Sequence, residues 1–258
     1  MSEPGAIEAI IFDYGGVISS PLFRGIGDFE AASGYPPGSL LRLLFGEVHY
    51  VGVEGRAVAD TLADAGPNAD TLNADNLNDP APANVGPDPL ADHDWHRLER
   101  GEIDFGTYFG GLQARAPEVL GVELDVDAYG RFMGSTAIGV HWPVVHRIRD
   151  LKVQGFQLAL LTNNIAEFGG HWKATFPLDD LFEIVVDSSS VGMRKPDPAI
   201  YLLTLDRLRV PATASVFVDD NADNIRAACD LGMETVHFGD DPWVALAELD
   251  EILSRRAG

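Results

Sequence analysis

Asp13 ends an unbroken apolar run, Ala9–Phe12, and is followed by Tyr14, Gly15 and Gly16 in EAIIFDYGGVISS. A carboxylate at the tip of a buried strand is held rigidly, and small neighbours let main-chain N–H groups approach an anion. Other apolar runs end in a similar way. FQLALLTNN ends on Thr162 and Asn163, ASVFVDDNAD carries Asp219 and Asp220, and VGMRKPDPAIY carries Lys195 on a loop bounded by Gly and Pro. Three carboxylates, a hydroxyl and a lysine suit phosphoryl transfer through an aspartyl phosphate. Asp13 would be the nucleophile, Thr162 a donor to a phosphate oxygen, and Lys195 the compensating charge. Asp13 and Asp220 would hold Mg²⁺, which relieves an otherwise costly cluster of like charges. Each residue alone has a plainer reading, since an Asp after a strand often caps the next helix. Caps do not explain the whole set in this order.

The elements that must position these residues form a regular alternation. Apolar strands are expected at 8–12, 156–164, 182–190, 214–223 and 234–241. Between the later ones lie helical patterns at 143–154, 197–209 and 221–232, with Val144, Ile148 and Leu151 on one face of the first. Strands alternating with helices predict an α/β fold with a Rossmann-like parallel sheet. In such sheets, ligands sit beyond the C-terminal strand ends. The stretch between the first strand and the next is too long for a simple crossover. An inserted, mainly helical cap domain is therefore expected at 20–135, with helices at 36–50, 53–65, 92–100, 104–116 and 125–134. The core domain would comprise 1–19 and 136–258. Residues 66–92, rich in Pro, Asn, Asp and Gly, read as a mobile acidic loop, and 57–96 contain neither Lys nor Arg.

The chain has 258 residues and a net charge of −22, from 40 acidic against 18 basic residues. That field repels nucleic acid and anionic lipid, so neither is expected as a partner. No run is long enough to span a membrane and the N-terminus does not resemble a signal peptide, so a cytoplasmic location is expected. The single cysteine, Cys229, excludes an intramolecular disulfide and reads as a buried structural thiol.

IFDYGGVI, LLTNN, GMRKPDPAIY and VFVDDNADNIRAACDLGM resemble, in order, the four motifs of the haloacid dehalogenase superfamily. The likeness is to the phosphatase-type N-terminal domain of soluble epoxide hydrolases and to bacterial sugar-phosphate phosphatases. ERGEIDFGTYF is similar to a helical-cap segment of that subgroup. The resemblance implies that Asp13 is the nucleophile, that Thr162 and Asn163 bind phosphate with Gly15 and Gly16 nearby, and that Lys195 orients it. Asp220 would ligate Mg²⁺ with Asp13 and the Gly15 carbonyl, Asp219 would buttress Lys195 or the metal's water shell, and Asn224 would be an outer residue. The implied substrate is a small phosphorylated metabolite, a sugar phosphate being one such; the subunit number is not implied.

Phosphatases of the superfamily usually carry a second Asp two residues after the nucleophile, where this chain has Gly15. A general acid contributes about 10²- to 10⁴-fold in rate. The sequence leaves three readings: a phosphatase drawing its proton from elsewhere, a haloacid dehalogenase whose halide needs no proton, or a weak phosphate-binding module. Glu47, His49 and Glu54 are candidates for a replacement acid. The paired Asp219 and Asp220 favour metal, and hence the first reading.

Other conspicuous side chains have plainer readings. His93 and His96 lie three residues apart, but zinc sites usually take three or four ligands, and the neighbouring Asp residues suit a helix N-cap. His141 and Trp142 suit packing at a hinge. His171, Trp172 and Phe168 follow the Asn163 loop without a spacing that assigns them a task. GIGDFEAASG (25–34) follows no strand and opens no nucleotide-binding unit.

Overall fold

The computed structural model describes residues 5–21, 23–46, 93–135, 139–168 and 178–256. The candidates Glu47, His49, Glu54, His171 and Trp172, the expected helix at 53–65 and the segment 66–92 lie outside the described residues.

Five strands form one sheet: β1 (Ala9–Phe12), β2 (Gln157–Thr162), β3 (Ile184–Asp187), β4 (Ser215–Asp219) and β5 (Glu234–His237). Their order is β3-β2-β1-β4-β5 and every pairing is parallel. β1 is central, with Phe12 opposite Leu160 on one side and Val218 on the other. All four of its residues are buried because both faces of the sheet are covered.

Side chains alternate across a strand, which sorts the apolar residues into two layers. Ile10, Phe12, Leu158, Leu160, Val216 and Val218 pack with the helices Trp142–Val153 and Pro242–Arg256. Ala9, Ile11, Ala159, Leu161 and Phe217 pack with the helices Pro198–Leu208 and Ala222–Asp230. The sequence-predicted strands and core helices are thus present, with tighter bounds.

A third apolar cluster belongs to the helices Ile26–Ser33, Ser39–Phe45, Asp94–Glu99, Phe105–Leu120 and Val126–Ser135. Ile165 is the one fully buried member of that cluster from beyond β1's insertion. The chain passes between the sheet and these helices twice, and the two passages pair. Ser19 bridges antiparallel to Val140, Ser20 N donates to Gly139 O at 2.8 Å, and His141 N donates to Ile18 O at 2.8 Å.

Two expectations need correction. Cys229 is exposed, not a buried thiol. The buried stripe of its helix is Asn224, Ile225 and Ala228, and Cys229 lies one residue past it, turned away by the helical step. Trp142 is 54% exposed and does not pack the hinge. His141 does: its Nδ1 lies 2.8 Å from Val17 O and its ring stacks on Phe238.

Candidate active site

Because the sheet is parallel, all its strand ends open on one side, and the order reverses between β1 and β4. Such switch points leave a crevice. Asp13 follows β1, and its N–H still bonds Val218 O at 2.9 Å, extending the ladder by one residue. Asp219 closes β4 and Thr162 closes β2.

The Lys195 ammonium joins these ends. Its Nζ lies 2.8 Å from Asp13 Oδ1 and 2.6 Å from Asp219 Oδ2, and the side chain is 1% exposed. Burial alone would lower the Lys195 pKa. The adjacent Asp13 and Asp219 more than reverse that, and the ammonium is held above its ordinary value.

Asp219 is saturated. Besides Lys195 it accepts from Asn221 N at 2.8 Å and from Asn224 Nδ2 at 3.0 and 3.1 Å. Its oxygens are committed to holding Lys195 and the turn into the next helix. Asn224 thus reaches the site through Asp219, and its own carbonyl accepts from the buried Tyr201 hydroxyl at 3.0 Å.

Asn163 acts on Lys195 from the main-chain side. Lys195 N donates to Asn163 Oδ1 at 2.8 Å, and Asn163 Nδ2 donates to Lys195 O at 3.0 Å. The Asn163 amide is spent on this clamp, so its side chain does not face the crevice as a free phosphate donor. Thr162 is buried and its hydroxyl makes only a long 3.4 Å contact to Asn163 O.

Asp13, Asp219 and Asp220 each bring a carboxylate oxygen to within 4.8 Å of the others, a spacing that can hold a metal ion. Among the described residues, no side chain hydrogen-bonds the Asp220 carboxylate. Burial, then the charges of Asp219 and Asp13, push the Asp220 carboxyl up to about 8. Burial first, opposed by Lys195, pushes Asp13 up to about 7. One ammonium does not balance three carboxylates, two of them buried and the third partly so, and the donor set fits one added hard cation with oxygen ligands. Gly16 makes room for the Asp220 carboxylate. With φ at 78°, a Cβ there would lie 1.8 Å from Asp220 Oδ2. At Gly15 a Cβ would meet nothing within 4 Å.

Sequence reasoning missed the residues that tie the loops down. Asp187, at the end of β3, accepts from Asn164 Nδ2 at 2.9 Å and from the Ser189 hydroxyl at 2.7 Å. Ser188 Oγ accepts from Asn164 N at 2.9 Å and donates to Glu99 O at 2.6 Å. Arg194, beside Lys195, donates to Glu99 Oε2 at 2.6 Å. Asp187 had a readable signal, as one more acid at a strand end. The rest are contacts between segments far apart in sequence. The His93–His96 pair has a different use: His93 Nδ1 accepts from Trp95 N at 3.2 Å and caps the helix Asp94–Glu99, so the cap is His93 and not an Asp.

A parallel sheet of this order gathers an Asp–Lys–Asp set at its strand ends. A family model for haloacid dehalogenase-like hydrolases matches residues 7–232, and the chain belongs to that family. It is 30% identical over 166 residues to pig (Sus scrofa) bifunctional epoxide hydrolase 2, covering 60% of this chain and 30% of that protein. It is 32% identical over 111 residues to phosphoglycolate phosphatase of Psychrobacter arcticus, covering 43% of this chain and 47% of that one. The chain thus spans less than half the length of either relative. Among solved structures, a haloacid dehalogenase family enzyme of Bacteroides thetaiotaomicron in complex with magnesium and inorganic phosphate superposes with a TM-score of 0.54. It is 18% identical, covering 93% of this chain and 99% of that one, which shows a shared fold. No helix among the described residues is long and apolar enough to cross a membrane.

Proposed function

We propose that this chain is a Mg²⁺-dependent phosphatase that hydrolyses a phosphate monoester of a small metabolite through an aspartyl phosphate on Asp13. The observation that carries the reading is Lys195, fixed between Asp13 and Asp219, with Asp220 beside them lacking any side-chain partner among the described residues. A dehalogenase needs no cation, and this site is one charge set short of balance without one. The phosphatase and epoxide hydrolase relatives support the same reading.

In the proposed reaction the Asp13 carboxylate attacks phosphorus. A bond forms from its oxygen to phosphorus while the bond to the alcohol oxygen breaks. Water then cleaves the acyl phosphate, which restores Asp13 and releases inorganic phosphate. Thr162 Oγ1 and main-chain N–H groups near Gly15 and Gly16 hold the phosphate oxygens. Lys195 keeps Asp13 aimed and offsets the incoming charge. Asp13, Asp220 and the Gly15 carbonyl would hold Mg²⁺, which supplies neutralisation of the crowded oxygens when bound. The helices between β1 and residue 135 serve as a cap over the substrate.

Hydrolysis of p-nitrophenyl phosphate, with Mg²⁺ and with EDTA, by the wild type and Asp13→Asn tests the proposal. Its good leaving group needs little acid, so Gly15 is no handicap. Turnover that needs both Mg²⁺ and Asp13 supports the reading. Wild-type protein that is folded and loaded with Mg²⁺, yet inactive, overturns it.

A further inference from the structure

The helices Trp142–Val153 and Pro242–Arg256 cover one face of the sheet, and a groove of about 560 Å³ runs between them on the outside. One helix leads into β2 and the other follows β5, so both run against the strands and lie side by side in the same direction. Their first turns carry Trp142 and Trp243, which line the groove and are 54% and 66% exposed. Val244, next to Trp243, is as exposed as its neighbour. Further along, the Arg147 guanidinium donates to Asp250 Oδ1 at 2.6 and 2.9 Å and joins the two helices. None of the lining residues belongs to the carboxylate and lysine set of the active site.

Large apolar side chains gathered at one place on a surface mark a contact, and tryptophan and arginine are the types that anchor one. The charges on this face say what kind of contact. Arg147 and Asp250 fix which levels of the two helices match. Just beyond them lie Arg149 on one helix and Glu251 on the other, both exposed, and neither is ion-paired among the described residues. The helical step turns Arg149 away from Arg147 and Glu251 away from Asp250, onto the outer shoulders of the pair. A base on one shoulder and an acid on the other, at one level, are self-complementary. A two-fold axis along the groove carries each helix onto the other helix of a second copy without changing its level. Trp142 of one copy then meets Trp243 of the other, and Arg149 of one meets Glu251 of the other, each contact occurring twice.

We propose that this face binds a second copy of the chain and forms a two-fold dimer. The assignment is independent of the phosphatase reading, since it uses no residue of that site. Each helix is about 20 Å long, so the pair offers a face at the small end of specific interfaces. The dimer is therefore reversible, with a dissociation constant in the micromolar range.

Sedimentation equilibrium from about 5 to about 500 μM protein tests the assignment. A salt concentration of about 0.15 M screens most of the repulsion between two copies of net charge −22. The weight-average mass of the wild type should climb from 27.8 kDa toward twice that value. Trp243→Glu should raise the dissociation constant at least about tenfold. Glutamate suits the first turn of a helix, so the fold should survive, and a far-UV thermal scan checks it. Arg149→Glu and Glu251→Arg should each weaken the dimer, and the two together should restore it. A wild type that stays monomeric at the highest concentration overturns the proposal and leaves the groove to a different partner. A dimer that Trp243→Glu and the single charge reversals leave unchanged also overturns it, because the copies then meet elsewhere. Should Trp243→Glu fail to fold, Trp142→Glu and the charge reversals still decide.

Discussion

The Arg194 guanidinium sits 2.6 Å from the Glu99 carboxylate, with only 17% and 8% of the two side chains exposed. This pair links the helix Asp94–Glu99 to the residue immediately before Lys195. Ser188 adds a second tie at the same point through Glu99 O. Gly101 adds a third constraint: at φ 68° a Cβ there would lie 2.7 Å from Ser189 O, so the turn after Glu99 seats directly on the short helix Ser188–Val191 that follows β3. Removing a hydrogen bond to a charged partner costs about 1.5–3 kcal/mol. Glu99→Ala should therefore lower the thermal midpoint measurably, and Arg194→Ala should do the same. A double-mutant cycle by urea denaturation reads the pair itself. Simple additivity of the two losses would show that the contact contributes nothing of its own.

Gly16 and Gly15 are adjacent yet carry opposite constraints. Gly16 combines a left-handed backbone with a Cβ position only 1.8 Å from Asp220 Oδ2. An Ala there strains the backbone by about 1–2 kcal/mol and must also displace the carboxylate. Gly16→Ala should abolish the rise in thermal midpoint that Mg²⁺ gives the wild type. Gly15→Ala meets open space and should fold with wild-type stability. A Gly16→Ala protein that keeps the full Mg²⁺ response would remove Asp220 from the metal site.

His93 gives the fold an acid-sensitive point far from the carboxylates. Burial first, then the Arg115 guanidinium, hold its pKa below the ordinary 6.5, with Asp94 opposing. The His96 ring is its other titratable neighbour, 5.9 Å away between centroids. The neutral ring is the form that can accept from Trp95 N. With the folded pKa depressed, the contribution is complete above pH 6.5 and is lost as pH falls toward the folded value. His93→Asn keeps a capping acceptor that does not titrate. Stability measured by urea denaturation between pH 7 and pH 5 should fall less steeply in His93→Asn than in the wild type. Parallel pH curves would remove the cap from the explanation.

The strand-end residues were legible because each apolar run stops abruptly on a polar one. A parallel sheet turns such stops into one cluster, and so Asp13, Thr162, Asp219 and Lys195 could be grouped before any coordinates. The helix Ile26–Ser33 was not legible. Gly25 and Gly34, both left-handed, flank it closely and mimic a loop. The clamp of Asn163 on Lys195 and the Glu99–Arg194 pair were hidden for a different reason. No periodicity encodes a hydrogen bond between loops that only the folded sheet brings together.

Gly15 is the place where the resemblance leads one to expect an acid, and the structure leaves that place open. A Cβ at Gly15 meets nothing within 4 Å, and its backbone is not left-handed. Steric exclusion therefore does not account for the glycine. An aspartate there adds a fourth carboxylate to a crowded site, so phosphate binding should weaken and KM should rise. It also supplies a proton donor for a poor leaving group, a contribution of about 10²- to 10⁴-fold in well-placed cases. Gly15→Asp should raise kcat for n-butyl phosphate by at least about tenfold, toward the lower end of that range. Turnover of p-nitrophenyl phosphate should change far less, because phenolate leaves without help. The ratio of the two kcat values, measured at saturating Mg²⁺, separates acid catalysis from a change in folding or metal loading, which would move both substrates together. Equal changes on both would mean that the open place at Gly15 does not face the leaving oxygen and that the proton arrives from another direction.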